Sequence, residues 1–239
     1  VLRILDNKNI DKRLDDLGLS QNIYEDLKDI LKLTQGLILI SGPTGSGKTT
    51  TLYSILKELN CDDKKIITVE DPIEYKIDSI NQVPINNKVG LSFELVLKNI
   101  LRQDPDIIFI GEIRDKFSLD IALQASLTGH LVLASIHSSS SVETITRLID
   151  LKADPFLIST TLKAVMAQRL VLAYCKSCEN GCKKCNFTKF YDRTSISEIL
   201  KVDEQISSLI FNKASFNELK EYLKNINFNK IIITVLGRE

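Results

Sequence analysis

The first residues with recognisable chemistry form a glycine-rich run between an apolar stretch and a stretch compatible with a helix. The run comprises Gly42, Pro43, Thr44, Gly45, Ser46, Gly47, Lys48, Thr49 and Thr50. In a strand–loop–helix arrangement the glycines let successive backbone N–H groups turn toward phosphate oxygens, and the helix N-terminus adds its positive dipole end. The run therefore predicts a nucleotide site, in which Lys48 reaches the β- and γ-phosphates of ATP and the Thr49 hydroxyl ligates Mg²⁺.

Acidic side chains follow two further apolar runs. Glu70, Asp71 and Glu74 come after the β-branched residues 66–69, and Glu112 follows residues 107–110. Because ligands of open α/β sheets bind at the carboxyl ends of the strands, we expect these acids beside the phosphates. We predict that Glu112 orients or deprotonates the attacking water. The alternatives are a solvated turn for residues 70–74 and a helix cap for Glu112.

The two histidines, His130 and His137, bracket one predicted strand. Roughly 20 Å of extended chain separates them, so they cannot bind one metal and must have separate roles. His137, at the carboxyl end of the strand, is the better candidate for sensing a phosphate.

Four of the five cysteines are Cys175, Cys178, Cys182 and Cys185. Each pair has the C-x-x-C spacing of a metal-binding knuckle, and four thiolates leave no open position for water, so we predict a structural Zn²⁺. Disulfides are the alternative, and a reducing compartment disfavours them. Gly181 allows a left-handed turn between the pairs, and Cys61 is expected to be packed in the interior.

Alternation of apolar runs and helical periodicity predicts a doubly wound, mostly parallel sheet. Strands are expected at residues 37–40, 66–69, 107–110 and 130–135. Helices are expected at 21–33, 92–102, 117–127 and 142–150, from residue 154 to about 172, and as two or three short segments in 195–226. Residues 231–236 are expected to form a strand or a sticky end.

Composition restricts the function classes. Lys plus Arg and Asp plus Glu number 31 each, so no overall field attracts nucleic acid or an anionic membrane. No apolar run approaches the roughly 20 residues of a membrane span, and no signal peptide is present. We therefore expect a cytoplasmic protein, and the start at Val1 suggests a processed or truncated form.

The order of these motifs resembles one family, the ATPases of type II secretion and type IV pilus assembly. The matching segments are residues 42–53 (GPTGSGKTTTLY), 67–74 (ITVEDPIE), 101–115 (LRQDPDIIFIGEIRD) and 128–133 (TGHLVL). Gln168-Arg169-Leu170 and the paired cysteines follow in the family's order. The four cysteines favour the assembly and type II branch, because the retraction motors lack them.

The resemblance implies a RecA-like P-loop NTPase core with a small four-cysteine module and C-terminal helices. It also implies a homo-hexameric ATPase that docks, with other machinery components, on an inner-membrane platform protein and drives the export of pilin-like subunits. By motif, Glu70, Asp71 and Glu74 stand in the family's Asp box, Glu112 in Walker B, and His130 and His137 in the His box. The catalytic set is then Glu112, Lys48, Glu70 and His137.

We predict four segments: a linker and helix at 1–35, the ATPase core at 36–172, the cysteine module at 173–194 and a helical segment at 195–239. The chain departs from the family at Lys98, usually Arg, in its closely spaced cysteine pairs, and at Lys189, Asp192 and Ser195, where glycines are usual. Two alternatives stay open. One is a nucleic-acid translocase, which the neutral charge disfavours, so direct nucleic-acid binding is not expected. The other is a non-catalytic ATP-binding scaffold.

Overall fold

A computed structural model describes residues 12–226 and residue 228. Within them, seven strands form one sheet in the order β3-β2-β4-β5-β1-β6-β7. The strands are β1 (Gly36–Ser41), β2 (Ile66–Glu70), β3 (Asn81–Pro84), β4 (Ile107–Ile110), β5 (Leu131–Ile136), β6 (Leu162–Tyr174) and β7 (Phe190–Lys201). All neighbouring strands are parallel except β6 and β7, which form an antiparallel hairpin. The predicted α/β class with a mostly parallel sheet is confirmed.

Helices cover both faces of the sheet. They are α1 (Gln21–Ile30), α2 (Lys48–Leu59), α3 (Phe93–Ile100), α4 (Lys116–Leu127), α5 (Ser141–Asp150), α6 (Pro155–Thr161), α7 (Glu204–Phe211) and α8 (Phe216–Asn225). Side chains alternate along β1, so Leu37 and Leu39 enter one core while Ile38 and Ile40 enter the other. The first core is closed by α3–α8 and the second by α1, α2 and the 3₁₀ helix Leu14–Leu17. Burial on both faces explains why β1, β2, β4 and β5 are continuous apolar runs.

The predicted long helix from residue 154 to about 172 is wrong. Helix α6 ends at Thr161, and the chain continues as the 13-residue strand β6. The first half of β6 is buried between β1 and β7, so apolar residues occupy both faces and the sequence carries no clear period of two. Pairing with β1 and β7, which are distant in sequence, determines the conformation of these residues. The local pattern of apolar residues therefore does not reveal it.

The C-terminal region divides differently from the prediction. Residues 195–201 belong to β7, and only 204–225 contain the short helices α7 and α8. The predicted boundaries at 172/173 and 194/195 therefore fall inside β6 and β7, whereas the boundary at 35/36 coincides with the start of β1. The expected strand at 231–236 lies outside the described residues. Among the described helices, none has both the length and the apolar composition needed to cross a membrane.

Candidate nucleotide site and cysteine cluster

The glycine-rich loop joins β1 to α2 in a conformation that requires glycine at two positions. At Gly42, φ is +153°, and an added Cβ would lie 2.4 Å from Ser46 Oγ and 2.5 Å from the Gln168 carbonyl oxygen. At Gly47, the residue before α2, φ is +88°. A Cβ at Gly47 would also lie 3.1 Å from Gln168 Nε2, so side chains at both positions would press against β6.

The start of α2 suits an anion. No side chain caps its first turn, and no acidic residue lies there. The Ser46 hydroxyl is buried and, within the described residues, has no hydrogen-bond partner. A buried polar atom without a partner beside free helix N–H groups fits a phosphate ligand.

Lys48 makes its hydrogen bonds to the loop itself. Its Nζ donates to the carbonyl oxygens of Gly42 at 2.7 Å and Pro43 at 3.2 Å. Burial lowers the pKa of Lys48, and the charge of Glu112 opposes this shift. The Lys48 ammonium is thus held at the mouth of the loop, within electrostatic reach of the Glu112 carboxylate.

A cleft of about 620 Å³ opens in front of the loop. Its lining brings together most of the predicted site: Thr44, Gly45, Ser46, Gly47, Lys48, Thr49, Thr50, Glu70, Asp71, Glu74, Glu112 and His137. Of the remaining predicted nucleotide-binding residues, Gly42 and Pro43 do not line the cleft but hold Lys48 through their carbonyl groups. Four segments that are distant in sequence therefore meet at this cleft, because the parallel strands that precede them end at the same edge of the sheet.

Glu112 lies between two nitrogen donors. Its Oε1 is 2.7 Å from His137 Nε2, and its Oε2 accepts a hydrogen bond from Arg114 Nε at 2.6 Å. That hydrogen bond and the carboxylate charge raise the pKa of Arg114. Glu112 is only about one-fifth exposed, whereas both partners are considerably more exposed. The carboxylate is therefore oriented by side chains that solvent or a ligand can reach.

His130 lies in a different environment from His137, as expected if the two histidines have separate roles. His130 lies just before β5, and its Nδ1 is 2.9 Å from the Ala125 carbonyl oxygen at the end of α4. It does not line the cleft. His130 therefore has its contact at the opposite end of β5 from His137.

Glu70 is buried and is held by neutral donors. Tyr53 Oη donates to Oε2, while Thr68 Oγ1 at 2.6 Å and Gln82 Nε2 at 3.2 Å donate to Oε1. The sequence analysis did not single out Tyr53. A usable signal was present, because a tyrosine on the buried face of a helix must find a partner for its hydroxyl.

Strand β6 also contributes to the site. Gln168 is 1 % exposed, and its Nε2 donates to the Ser46 carbonyl oxygen at 2.8 Å. Leu170 lines the cleft, and Arg169 Nη2 donates to the Ser139 carbonyl oxygen at 3.2 Å. The wrong helical assignment hid these roles, because it offered no reason for Gln168 to face the loop.

The four predicted cysteines meet at the end of the β6–β7 hairpin. Their Sγ atoms all lie within 4.8 Å of one another. The Sγ–Sγ distances are 3.9 Å for Cys175–Cys182, 3.6 Å for Cys178–Cys185 and 3.9 Å for Cys182–Cys185. Tetrahedral zinc with Zn–S of about 2.3 Å needs S···S of about 3.8 Å, so the donor set fits this ion. All four are free cysteines, so the disulfide alternative is not the arrangement observed.

The backbone around the cysteines has a conformation that brings them together. Gly181 has φ of +100°, as expected for a left-handed turn, and a Cβ there would lie 2.9 Å from the Phe187 carbonyl oxygen. The Cys182 N–H donates to Cys185 Sγ at 3.2 Å, which lowers the pKa of Cys185 to about 6. Burial raises the pKa of Cys178 to about 12. Cys61, expected to be packed, is instead exposed.

Comparison with known proteins decides the family. The model of the type II/IV secretion system protein family matches residues 1–236. This chain belongs to that family. Type II secretion system protein HxcR of Pseudomonas aeruginosa is 42% identical over 230 residues, covering 92% of this chain and 49% of the relative. Type II secretion system ATPase E of Vibrio cholerae is 40% identical over 250 residues, covering 94% of this chain and 50% of the relative.

Solved structures of related fold are also found. The pilus retraction motor PilT with bound ADP matches with a TM-score of 0.73 and 30% identity, covering 90% of this chain and 59% of that chain. The Legionella pneumophila ATPase DotB matches with a TM-score of 0.69 and 28% identity, covering 90% and 57% respectively. The chain spans about half the length of the curated relatives it matches. Both the predicted family and the predicted fold class are confirmed.

The departures from the family lie away from the cleft. Lys98 pairs with Glu94 at 2.7 Å on the exposed side of α3 and does not line the cleft. Lys189 and Asp192, where glycines are usual, have φ of +68° and +72°. Both residues therefore adopt the left-handed conformation without glycine, at a cost of roughly 1 kcal/mol or more each. Neither departure removes a group from the nucleotide site.

Proposed function

We propose that this chain binds MgATP in the cleft and hydrolyses it to ADP and phosphate. The observation that carries the proposal is the single cleft lined both by Lys48 of the uncapped, glycine-rich loop and by Glu112, the oriented carboxylate. A phosphate held by the loop lies next to an acid that can act on water. The Ser46 hydroxyl and the first turn of α2 supply further phosphate contacts.

Each residue has a defined part in this proposal. Lys48 exchanges its contacts with the Gly42 and Pro43 carbonyl groups for the β- and γ-phosphates. Thr49, exposed at the start of α2, supplies a hydroxyl ligand for Mg²⁺. When bound, Mg²⁺ neutralises charge that develops on the phosphate oxygens. These side chains hold the γ-phosphate while the bond to the bridging oxygen breaks.

Glu112 positions the water and accepts its proton. Each carboxylate oxygen has one partner in the structure, His137 for Oε1 and Arg114 for Oε2. A γ-phosphate competes for the exposed His137 ring, which frees Oε1 to face the water. His137 thereby senses the phosphate, and Arg114 keeps the carboxylate oriented. Glu70 is a further acid that lines the cleft.

The test is ATP turnover by Glu112→Gln. We expect the variant to bind ATP with Mg²⁺ and to hydrolyse it about 10²–10⁴-fold more slowly, because the amide keeps the shape and loses the proton acceptor. Glu94→Gln is the matched control, since Glu94 lies on α3 outside the cleft. Turnover by Glu112→Gln equal to that of the parent would contradict the assignment. ATP binding without turnover by the parent would favour the non-catalytic scaffold.

We propose further that the complete protein is a motor subunit of a type II secretion or type IV pilus assembly machine. Family membership and the relatives' names support this. In this proposal the protein is a cytoplasmic homo-hexamer, peripheral at the inner membrane. It acts with a platform protein and other machinery components on pilin-like subunits. A salt-dependent DNA-binding assay separates it from the nucleic-acid translocase alternative.

Assembly has its own test. If a neighbouring subunit completes each site with an arginine, whose effect in trans is about 10³–10⁵ on rate, ATPase activity per chain should rise with protein concentration. The measurement is specific activity across a dilution series with the oligomeric state followed by light scattering. An unchanged specific activity in a proven monomer refutes the ring mechanism.

We also propose that the cysteine cluster holds one structural Zn²⁺. The tetrahedral spacing of the sulfur atoms and the hydrogen-bonded Cys185 thiol support this. Four thiolates would saturate the ion, so its part is to stabilise the hairpin end and not to activate water.

A further inference from the structure

The phenol of Tyr53 lies in the core between the glycine-rich loop's helix and the acidic turn that follows β2. Tyr53 is five residues after Lys48 on α2 and is completely buried. Its ring packs edge-on against Tyr75, with centroids 4.6 Å apart, and against Phe109 at 6.3 Å. These contacts fix the ring, and therefore the hydroxyl, in one place.

That hydroxyl contacts both the last residue of β2 and the turn that follows it. It donates to Glu70 Oε2 and accepts from the Glu74 backbone N–H at 3.2 Å. Burial, followed by the hydrogen bond to Glu70, raises the pKa of Tyr53, so the phenol stays protonated and remains a donor. One hydroxyl thus joins the carboxylate and the turn backbone to α2.

The donors around Glu70 are all uncharged. Thr68 and Gln82 bind one carboxylate oxygen, and Tyr53 binds the other. Within the part of the chain that the structure describes, no ion pair involves Glu70. Tyr53 is the one of these three donors that comes from α2; Thr68 and Gln82 lie on β2 and β3. A side chain that only filled the core would not need this hydroxyl.

We propose that Tyr53 is a positioning residue that holds Glu70 at the nucleotide cleft and links it to the helix that begins with Lys48. The proposal rests on the function proposed above and deepens it. The Tyr53 hydroxyl joins the helix that follows the glycine-rich loop to the acid at the end of β2. Tyr53 itself does not line the cleft and touches no substrate.

The test compares Tyr53→Phe with the parent chain. Phenylalanine keeps the packing against Tyr75 and Phe109 and removes only the two hydrogen bonds. We expect kcat to fall about 10- to 100-fold, the range for losing one hydrogen bond to a charged group, with KM for ATP unchanged. Tyr24→Phe is the matched control, because the Tyr24 phenol bonds to Asp15 and neither residue lines the cleft.

A double-mutant cycle separates positioning from a general loss of stability. If Tyr53 acts through Glu70, Tyr53→Phe should lower kcat no further in a Glu70→Gln background. Full kcat in the single variant, or additive losses in the double variant, overturns the proposal. A fall in KM and kcat together with a lower unfolding temperature also counts against it.

Hydrogen exchange gives a readout that needs no turnover. Because the Tyr53 hydroxyl accepts from the Glu74 N–H, exchange at residues 71–74 should accelerate in Tyr53→Phe while exchange in β1 and β5 stays as in the parent. If the parent hydrolyses no ATP, the proposed function fails, and this measurement still decides the role of Tyr53. Unchanged exchange at 71–74 overturns the inference in either case.

Discussion

Replacing Gln168 with methionine should weaken ATP binding with little effect on folding stability. Gln168 lies on β6, and its Nε2 donates to the Ser46 carbonyl oxygen in the glycine-rich loop at 2.8 Å. Its backbone also closes over Gly42, where a Cβ would lie 2.5 Å from the Gln168 carbonyl oxygen. Methionine keeps the length and volume of the side chain and removes the donor.

The expected stability change is small because two contributions oppose each other. Losing a buried hydrogen bond of this type costs about 0.5–1.5 kcal/mol. The Oε1 atom of the same amide is buried, however, and within the described residues it has no partner, so the parent already bears a desolvation cost of about 1–3 kcal/mol. Taking the middle of each range, a loss of about 1 kcal/mol and a gain of about 2 kcal/mol change the free energy of unfolding without nucleotide by only about 1 kcal/mol.

For ATP affinity, no second contribution offsets the loss of the hydrogen bond. Without the hydrogen bond, the loop must be ordered by the phosphates themselves, and a loss of about 1 kcal/mol corresponds to roughly five-fold weaker binding. Calorimetric titration with MgATP gives the affinity, and denaturant unfolding gives the stability. Leu172→Met is the matched control, because it places the same side chain further along β6, where Leu172 is exposed and does not line the cleft.

Three results would refute this reasoning. Affinity equal to that of the parent would mean that the loop is ordered without Gln168. An equal loss of affinity in Leu172→Met would mean that the effect arises from β6 in general. A loss of about 3 kcal/mol or more in stability would show that the amide mainly supports the core, since this exceeds the hydrogen-bond cost.

Two further predictions concern Lys48 and the cysteines. Lys48→Ala should abolish detectable MgATP binding in the same titration, because the phosphates lose the lysine of the loop. Undiminished affinity would show that the nucleotide binds at a different site. Metal analysis of reduced protein should give one Zn²⁺ per chain, lost in Cys185→Ala and kept in Cys61→Ala, whose thiol is exposed and outside the cluster. A folded parent chain with four metal-free thiols would contradict the zinc assignment.

The parts of the fold that local chemistry determines were predictable. The glycine-rich loop is one continuous segment, and its strand–loop–helix order appears directly in residues 36–59. The positions of Glu70 and Glu112 followed from a topological rule, since parallel strands present their carboxyl ends at one edge.

The parts that depend on distant partners were not predictable from one sequence. Residues 162–168 become a strand because β1 and β7 flank them, and a segment buried on both faces has no period to distinguish strand from helix. The hydrogen bonds of Gln168, Arg169 and Tyr53 could not be predicted for the same reason. Each joins segments that only the folded sheet brings together, over separations of 122, 30 and 17 residues.

The β6–β7 hairpin connects the two sites that the sequence presented as separate. Midway along β6, Gln168 donates to the glycine-rich loop and Arg169 to the Ser139 carbonyl oxygen. Glu198 on β7 accepts from the N–H and hydroxyl of Ser141, at 2.7 Å and 2.6 Å. The hairpin therefore contacts the segments on both sides of the nucleotide cleft.

The four cysteines lie at the closed end of the same hairpin, between the end of β6 and the start of β7. Tyr174 pairs with Phe190, and Cys175 N–H donates to the Lys189 carbonyl oxygen at 2.8 Å. About seven residues of strand, roughly 23 Å, separate Gln168 from Cys175. The continuous pairing of β6 with β7 therefore joins the residues that contact the glycine-rich loop to the residues that form the cysteine cluster.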